Sequence, residues 1–300
     1  MEKEFEIVLT SGEKMKGFAM PVEKPVAVLN LQTGMAEYAK RYKGFGEWLN
    51  KRNVSLYVLD AFGQGLNSPN PDDQGKWPKD AFAKNVEGIH LMNEMSRVEG
   101  VPLATMGHSM GSFMTQSLIQ RYPHYTDKVI ICGSNGGQGF LMKVGYLLAK
   151  MKVNEKNWDK ECPMLQNLGL GGYTKAVKNR KTDLDWLSYN EENVQKYITD
   201  PYCGHFNTGG FWREFLKEMA HLWDAKNMKK VSKEEKILLI AGEEDPVGQN
   251  GKGPKWLEKK YKALGVEDVT LKLYPHTRHE IHNEDIWETV YQDILDFILK

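Results

Sequence analysis

The sequence predicts an α/β fold with a mostly parallel central sheet and helices on both faces. Short apolar runs of strand length alternate with longer segments whose apolar residues recur at helical spacing. Repeated βα units of this kind form parallel sheets that are covered on both sides. The chain opens instead with two strand-like runs on either side of a Ser11-Gly12 turn signal, which indicates an antiparallel edge.

The predicted elements follow one another with short connections in most of the chain. Apolar or alternating runs predict the first six strands, which span residues 5–9, 15–20, 26–31, 55–60, 103–106 and 128–132. Helical periodicity between them predicts helices at residues 35–50, 78–97 and 112–122. Near the carboxyl end the pattern becomes strand, helix, strand, helix, at residues 237–241, 256–264, 270–274 and 287–299.

One long interval, residues 133–237, contains no strong strand signal. A crossover between parallel strands needs only about a dozen residues, and this interval is several times longer. It is rich in aromatic and amphipathic stretches, so we predict a helical cap over the carboxyl ends of the strands. We call residues 136–232 the cap segment, inserted between core parts 1–135 and 233–300. The alternative is two additional helices on one face of the sheet.

Composition narrows the class of protein. The 300 residues carry 40 basic and 40 acidic side chains, so there is no basic face that would suit a nucleic acid. Three cysteines without a CxxC pattern indicate free thiols. The chain shows neither a signal peptide nor a run of about 20 apolar residues. We expect a cytoplasmic protein without membrane insertion or nucleic-acid partner, compatible with a homo-oligomer.

The motif Gly107-His108-Ser109-Met110-Gly111 fits G-x-S-x-G. It directly follows a predicted strand and precedes a predicted helix, which is the setting of a nucleophile elbow. The turn is strained, and side chains at the two glycine positions would clash with the neighbouring strand and helix. It also brings Ser109 to a helix amino terminus, where backbone N–H groups can hold an oxyanion. The alternative is an ordinary N-cap serine between flexible glycines.

A serine nucleophile needs a base, and the base needs an acid that orients it. In this fold they follow the serine in the order acid, histidine. Asp245 stands just past the strand at 237–241, with Glu243 and Glu244 as competitors.

Three histidines compete for the base, all in the loop after the strand at 270–274: His276, His279 and His282. The spacing of His279 and His282 differs from the HExxH zinc motif, so we expect no metal there.

These residues resemble those of the α/β-hydrolase branch that holds lysophospholipases, monoacylglycerol lipases and serine aminopeptidase-like hydrolases. Its elbow G-H-S-M-G matches residues 107–111, and its acid motif G-x-x-D-x-V matches residues 242–247. Its histidine motif H-E-x-x-N-E matches residues 279–284, which selects His279 over His276. The resemblance covers about residues 5–299 and implies a cofactor-free triad of Ser109, Asp245 and His279.

The resemblance also implies an oxyanion hole. The family's H-G-x-x-E loop is similar to residues 33–37, although Thr33 replaces the histidine. By analogy the amides of Met35 and Met110 receive the oxyanion. The family's D-x-x-G-x-G-x-S segment is similar to residues 60–68, with one residue inserted, and we interpret it as structural.

The substrate expectation rests on the cap segment and on the resemblance. Phe140, Tyr146 and Leu147 offer apolar surface that suits an acyl chain, although they could equally pack the cap onto the core. The resemblance implies a small acyl ester such as a monoacylglycerol, a lysophospholipid or a simpler ester. The alternatives are an aminopeptidase-like hydrolase, a non-catalytic binding protein of the same fold, and attachment to a membrane surface through residues 140–152.

Overall fold

A computed structural model describes residues 2–300. Its centre is an eight-stranded sheet in the order β1-β2-β4-β3-β5-β6-β7-β8. The strands are β1 (Lys3–Val8), β2 (Lys14–Met20), β3 (Ala27–Gln32), β4 (Val54–Leu59), β5 (Leu103–His108), β6 (Lys128–Cys132), β7 (Lys236–Gly242) and β8 (Asp268–Tyr274). β2 pairs antiparallel with β1 and with β4, and every pair from β4 to β8 is parallel. The predicted fold class and its antiparallel edge are confirmed.

Within residues 2–300, ten α-helices connect and cover the strands. They are α1 (Lys43–Asn50), α2 (Ala81–Ser96), α3 (Met110–Arg121), α4 (Gly139–Lys152), α5 (Pro163–Ala176), α6 (Glu191–Thr199), α7 (Gly209–Leu222), α8 (Ala225–Met228), α9 (Lys252–Ala263) and α10 (Trp287–Leu299). None of the helices within residues 2–300 combines the length and apolar character needed to cross a bilayer.

The helix predicted over residues 35–50 is wrong in its first half. A loop comes first, then a short 3₁₀ turn over Ala39–Tyr42, and only then α1. Ala36 adopts a left-handed backbone with φ of 54°, which interrupts any helix. The Glu37 carboxylate accepts a hydrogen bond from the Gly34 N–H at 2.5 Å, so a side chain that belongs to the loop stabilises the loop conformation.

The sheet separates two apolar cores, one on each face. Ile237 and Leu239 of β7 belong to the core formed with α2, α3, α7 and α9. The intervening Leu238 and Ile240 belong to the opposite core, formed with α1 and α10. Alternate residues of a strand point to opposite faces, so a strand covered on both sides is apolar throughout.

The cap segment contains α4 to α8, which all lie between β6 and β7 in the chain. Helix α4 packs mainly against α7. The two fully buried residues of α4 are the small Gly145 and Ala149, and a Cβ on Gly145 would lie 3.3 Å from Leu216 of α7. Small residues allow this close approach, and several larger apolar residues of α4 are exposed: Phe140, Leu141, Val144, Leu147 and Met151.

Candidate active site

Ser109 lies at the tip of the turn between β5 and α3. Its φ and ψ are 53° and −119°, which is strained for a residue with a side chain. A Cβ on Gly107 would come within 2.1 Å of the Gly111 carbonyl oxygen. A Cβ on Gly111 would come within 2.2 Å of the Gln32 carbonyl oxygen at the end of β3. The close approach of these backbones therefore requires glycine at both positions.

Asp245 and His279 come together beside this turn from the ends of β7 and β8. His279 Nδ1 lies 3.0 Å from Asp245 Oδ2, and both side chains are buried. The other carboxylate oxygen of Asp245 accepts a hydrogen bond from the Val247 N–H at 2.8 Å. The aspartate is thus held rigidly toward the imidazole. The competing His276 instead faces solvent and lies 3.4 Å from Glu244.

Ser109 and His279 line the same pocket. Among the hydrogen bonds of residues 2–300, none joins the Ser109 hydroxyl to the His279 ring. Catalytic hydrogen bonds are often long in enzymes without bound substrate and shorten in the substrate complex. The structure therefore gathers the three predicted residues at one edge of the sheet, with the aspartate–histidine contact already formed.

The loop at residues 33–38 borders Ser109, and we call it the oxyanion loop because it contains Met35, a predicted oxyanion donor. Met35 and Met110, the predicted oxyanion donors, both line the pocket with Ser109. A Cβ on Gly34 would lie 3.1 Å from Ser109 Cβ, so the loop backbone passes directly over the serine. Thr33, at the position where the family motif has histidine, is buried and donates to the Leu59 carbonyl at 3.4 Å.

A buried ion-pair network connects the oxyanion loop to the histidine loop. Arg41 Nη1 lies 2.7 Å from Glu37 and 2.8 Å from Glu280, the residue after His279. A second nitrogen of Arg41 donates to Glu280 at 2.9 Å, so this pair is bidentate. His108 Nδ1 lies 3.1 Å from Glu37. The network ties together the two loops that flank Ser109.

The network shifts the pKa values of its members. Burial alone would raise the pKa of Glu37, but the His108 hydrogen bond and the Arg41 charge lower it to about 2. Burial would also raise the pKa of Glu280. The charge and hydrogen bond of Arg41 outweigh burial and keep this pKa well below its usual range. Burial lowers the pKa of His282 to about 3, with the nearby His108 contributing. Both carboxylates are therefore charged at neutral pH, and His282 is neutral.

Three buried side chains behind the site are of metal-binding types. Potential ligand atoms of His108, Cys132 and His282 lie within 4.8 Å of one another. However, both ring nitrogens of His108 already have partners, Glu37 at 3.1 Å and the His279 carbonyl oxygen at 3.4 Å. His108 is therefore engaged in hydrogen bonds, and Cys132 belongs to the apolar core that includes residues of α1 and α10.

The pocket above Ser109 is predominantly apolar. Its apolar wall comes from α3 and the cap segment and includes Phe113, Met142, Leu170, Trp186, Trp212, Phe215, Leu216, Met219 and Trp223. The predicted substrate-binding residues Phe140, Tyr146 and Leu147 are absent from this lining. Phe140 is 83% exposed and Leu147 is 59% exposed, whereas Tyr146 packs against the main core. On the same helix, Met142 contributes to the pocket instead.

Arg41 and Gln64 contact the loops around Ser109 but were not predicted from the sequence. The four-residue spacing of Glu37 and Arg41 was a usable signal, because such spacing suits an ion pair on a helix. Arg41 and Glu280 are 239 residues apart in the chain, so no local sequence pattern indicates their contact. Gln64, in a segment interpreted only as structural, donates to the Gly34 and Glu37 carbonyl oxygens at 2.9 Å each.

Comparisons with known proteins agree with this architecture. The monoacylglycerol lipase of Mycolicibacterium smegmatis is 24% identical over 93% of this chain and 90% of its own. The monoglyceride lipase of Saccharomyces cerevisiae is 22% identical over 89% of this chain and 82% of its own. A carboxyl esterase structure from Bacillus coagulans superposes with a TM-score of 0.90, at 24% identity over 100% of this chain and 99% of that one. A family model described as serine aminopeptidase, S33, matches residues 23–286, and the chain therefore belongs to this family of α/β hydrolases.

Proposed function

We propose that the protein is a serine hydrolase that cleaves small, uncharged carboxylic esters with an acyl chain, such as monoacylglycerols. The observation that supports the proposal is that Ser109 and His279 line the same apolar pocket, with Asp245 Oδ2 3.0 Å from His279 Nδ1. The curated relatives that are named as monoacylglycerol or monoglyceride lipases support the same class of reaction.

The proposed reaction has two steps. His279 accepts the proton of Ser109 as the hydroxyl oxygen attacks the ester carbonyl, and Asp245 stabilises the resulting imidazolium. The amides of Met35 and Met110 receive the negative oxygen of the tetrahedral intermediate. His279 then returns the proton to the leaving alcohol, and water hydrolyses the acyl-enzyme by the same route.

The charge of the pocket favours a neutral substrate. No lysine or arginine belongs to the pocket lining described within residues 2–300. A lysophospholipid would bring a phosphate that finds no cationic partner there, whereas a glycerol head group needs only hydrogen bonds. Asn135 and Gln138 at the same pocket can supply such hydrogen bonds.

The aminopeptidase alternative is less well supported. It requires a free carboxylate that binds the substrate's terminal ammonium group. Within residues 2–300, the acidic side chains of the pocket are Glu37 and Glu280. Both are already bound by Arg41 at 2.7–2.9 Å. We therefore favour ester substrates over peptides.

A fluorophosphonate probe and a panel of esters test the proposal together. The wild-type protein should be labelled and should hydrolyse monoacylglycerols faster than lysophospholipids of the same acyl length. Ser109→Ala should lose labelling and at least about 10⁴-fold in kcat. Ser11→Ala, in the exposed hairpin, is the matched control and should behave like wild type. Wild-type turnover retained in Ser109→Ala would disprove the proposed mechanism.

A further inference from the structure

We infer that Tyr197, on helix α6 of the cap segment, is a positioning residue for the oxyanion loop. This inference rests on the proposed function. The Tyr197 hydroxyl donates a hydrogen bond of 2.7 Å to the Ala36 carbonyl oxygen, at the centre of the oxyanion loop. The cap segment thereby holds the backbone that presents the Met35 amide to the reacting oxygen.

Ala36 is the strained point of the oxyanion loop. Its φ of 54° is rarely adopted by residues other than glycine, and such strain persists only where the surroundings enforce it. Three hydrogen bonds enforce it here. The Ala36 N–H donates to Gln64 Oε1 at 3.0 Å, and the Ala36 carbonyl accepts from Tyr197 and, at 3.0 Å, from the Gly204 N–H.

The three anchors come from two different parts of the chain. Gln64 belongs to the loop after β4, and its side chain also donates to the carbonyl oxygens of Gly34 and Glu37. Tyr197 and Gly204 belong to the cap segment. Gln64 of the core therefore binds the oxyanion loop at Gly34, Ala36 and Glu37, and the cap segment adds two further hydrogen bonds to the Ala36 carbonyl.

Tyr197 is itself fixed. Its side chain is buried, and the Arg41 guanidinium lies 4.9 Å from the centre of its ring. Burial raises the pKa of Tyr197 well above its ordinary value, so the hydroxyl remains a donor over the working pH range. An isolated hydroxyl on a rigid ring can be removed by substitution with phenylalanine while the packing is retained.

The consequence for the reaction follows from how an oxyanion hole works. Its donors accelerate the reaction because they are aimed before charge develops. A loosened Ala36 carbonyl lets the Met35 amide swing away, which raises the barrier without weakening substrate binding. Any movement of the cap segment away from the core would have the same effect, because it breaks both cap hydrogen bonds to Ala36.

Tyr197→Phe tests this role by separating kcat from KM. We expect kcat for a short p-nitrophenyl ester to fall about 5- to 50-fold with KM within about twofold, less than the 10²–10³-fold that follows loss of a direct donor. The inhibition constant of a trifluoromethyl ketone, which forms an oxyanion adduct with Ser109, should weaken by a similar factor. The melting temperature should change little.

Tyr202→Phe is the matched control. Its hydroxyl also joins the cap segment to the core, donating to the Pro69 carbonyl at 2.9 Å, but outside the oxyanion loop. We expect wild-type kcat and inhibitor affinity from it. Gly204→Ala is a second probe, because its Cβ would lie 3.2 Å from the Tyr197 ring in a left-handed backbone with φ of 67°. It should lower kcat like Tyr197→Phe.

The outcomes separate this inference from the proposed function. An active wild type, an inactive Ser109→Ala and an unchanged Tyr197→Phe would overturn the role of Tyr197 alone. Ser109→Ala with wild-type activity would overturn the mechanism itself. Equal losses in Tyr197→Phe and Tyr202→Phe would mean that general loosening of the cap segment, and not the Ala36 contact, affects the rate.

Discussion

Replacing Arg41 with glutamine should destabilise the protein in a pH-dependent way. The substitution leaves Glu37 and Glu280 buried without their cationic partner. In the wild type the pKa of Glu37 is lowered from 4.5 to about 2, which corresponds to about 3 kcal/mol of stability at neutral pH. At Glu37 both His108 and Arg41 lower the pKa, whereas at Glu280 Arg41 is the main cause of the lowered pKa. Breaking a buried ion pair typically costs about 3–5 kcal/mol, and we expect a loss of this size.

The pH dependence provides the sharper test. A lowered pKa stabilises the wild type above the unfolded-state value of 4.5, and this stability is lost as the pH falls toward about 2. Without Arg41, burial of Glu280 loses its main opposing influence and the pKa of that carboxylate rises, whereas Glu37 keeps its His108 hydrogen bond, so the folded variant takes up protons chiefly at Glu280 as the pH falls. The deficit of Arg41→Gln should therefore be largest near about pH 7.5 and smaller near about pH 5. Urea unfolding, followed by tryptophan fluorescence at both pH values, measures this difference.

An exposed ion pair serves as the matched control. Arg97 lies 3.3 Å from Asp127, with side chains that are 39% and 44% exposed. Surface pairs of this kind contribute about 0–1 kcal/mol, so Arg97→Gln should shift the unfolding midpoint only slightly at either pH. A deficit for Arg41→Gln below about 1 kcal/mol, or one that is equal at both pH values, would refute this account of the network.

Three further substitutions test the geometry around Ser109 and the space available at two glycines. Asp245→Asn should lower kcat about 10⁴-fold with an unchanged circular dichroism spectrum, because an amide does not hold the required tautomer of His279; activity within tenfold of wild type would contradict the assigned acid. Gly107→Ala should destabilise the protein by about 3 kcal/mol or more, since its Cβ would lie 2.1 Å from the Gly111 carbonyl oxygen. Gly172→Ala in α5, whose Cβ meets nothing within 4 Å, should stabilise it by up to about 1 kcal/mol; urea midpoints that rank these two glycine variants in the opposite order would show the packing analysis to be mistaken.

The sheet could be predicted from sequence because its signals are local. A strand buried on both faces is an apolar run, and the chain places turn residues between such runs. The strand over Lys128–Cys132 and the helix over Trp287–Leu299 have the bounds that periodicity predicted. Other boundaries differ from the prediction by a few residues. The helix predicted at residues 78–97, for example, spans Ala81–Ser96 in the structure.

The pocket could not be predicted in the same way. Helical periodicity identifies the residues of α4 that share a face, but not what that face contacts. In the structure the small residues Gly145 and Ala149 face α7, and Phe140 and Leu147 point outward. Part of the apolar wall comes from α7, a helix far from Ser109 in the chain, and its position relative to Ser109 depends on tertiary contacts.

The oxyanion loop shows a second limit. Residues 35–50 have helical spacing, yet Ala36 is held in a left-handed conformation by partners distant in sequence, Gln64 and Tyr197. Such tertiary contacts override local propensity, and a single sequence does not display them. Strain of this kind concentrates at functional sites, which is where local rules are expected to fail.

The tight turn around Ser109 limits how this protein can diversify. A Cβ on Gly107 or Gly111 would lie 2.1 or 2.2 Å from a carbonyl oxygen, so neither glycine can be replaced without moving the backbone. The proposed nucleophile could be exchanged by changing the side chain at position 109 alone. New substrate ranges must instead arise by redesign of the helices that roof the pocket, so catalytic power and selectivity can change along separate mutational routes.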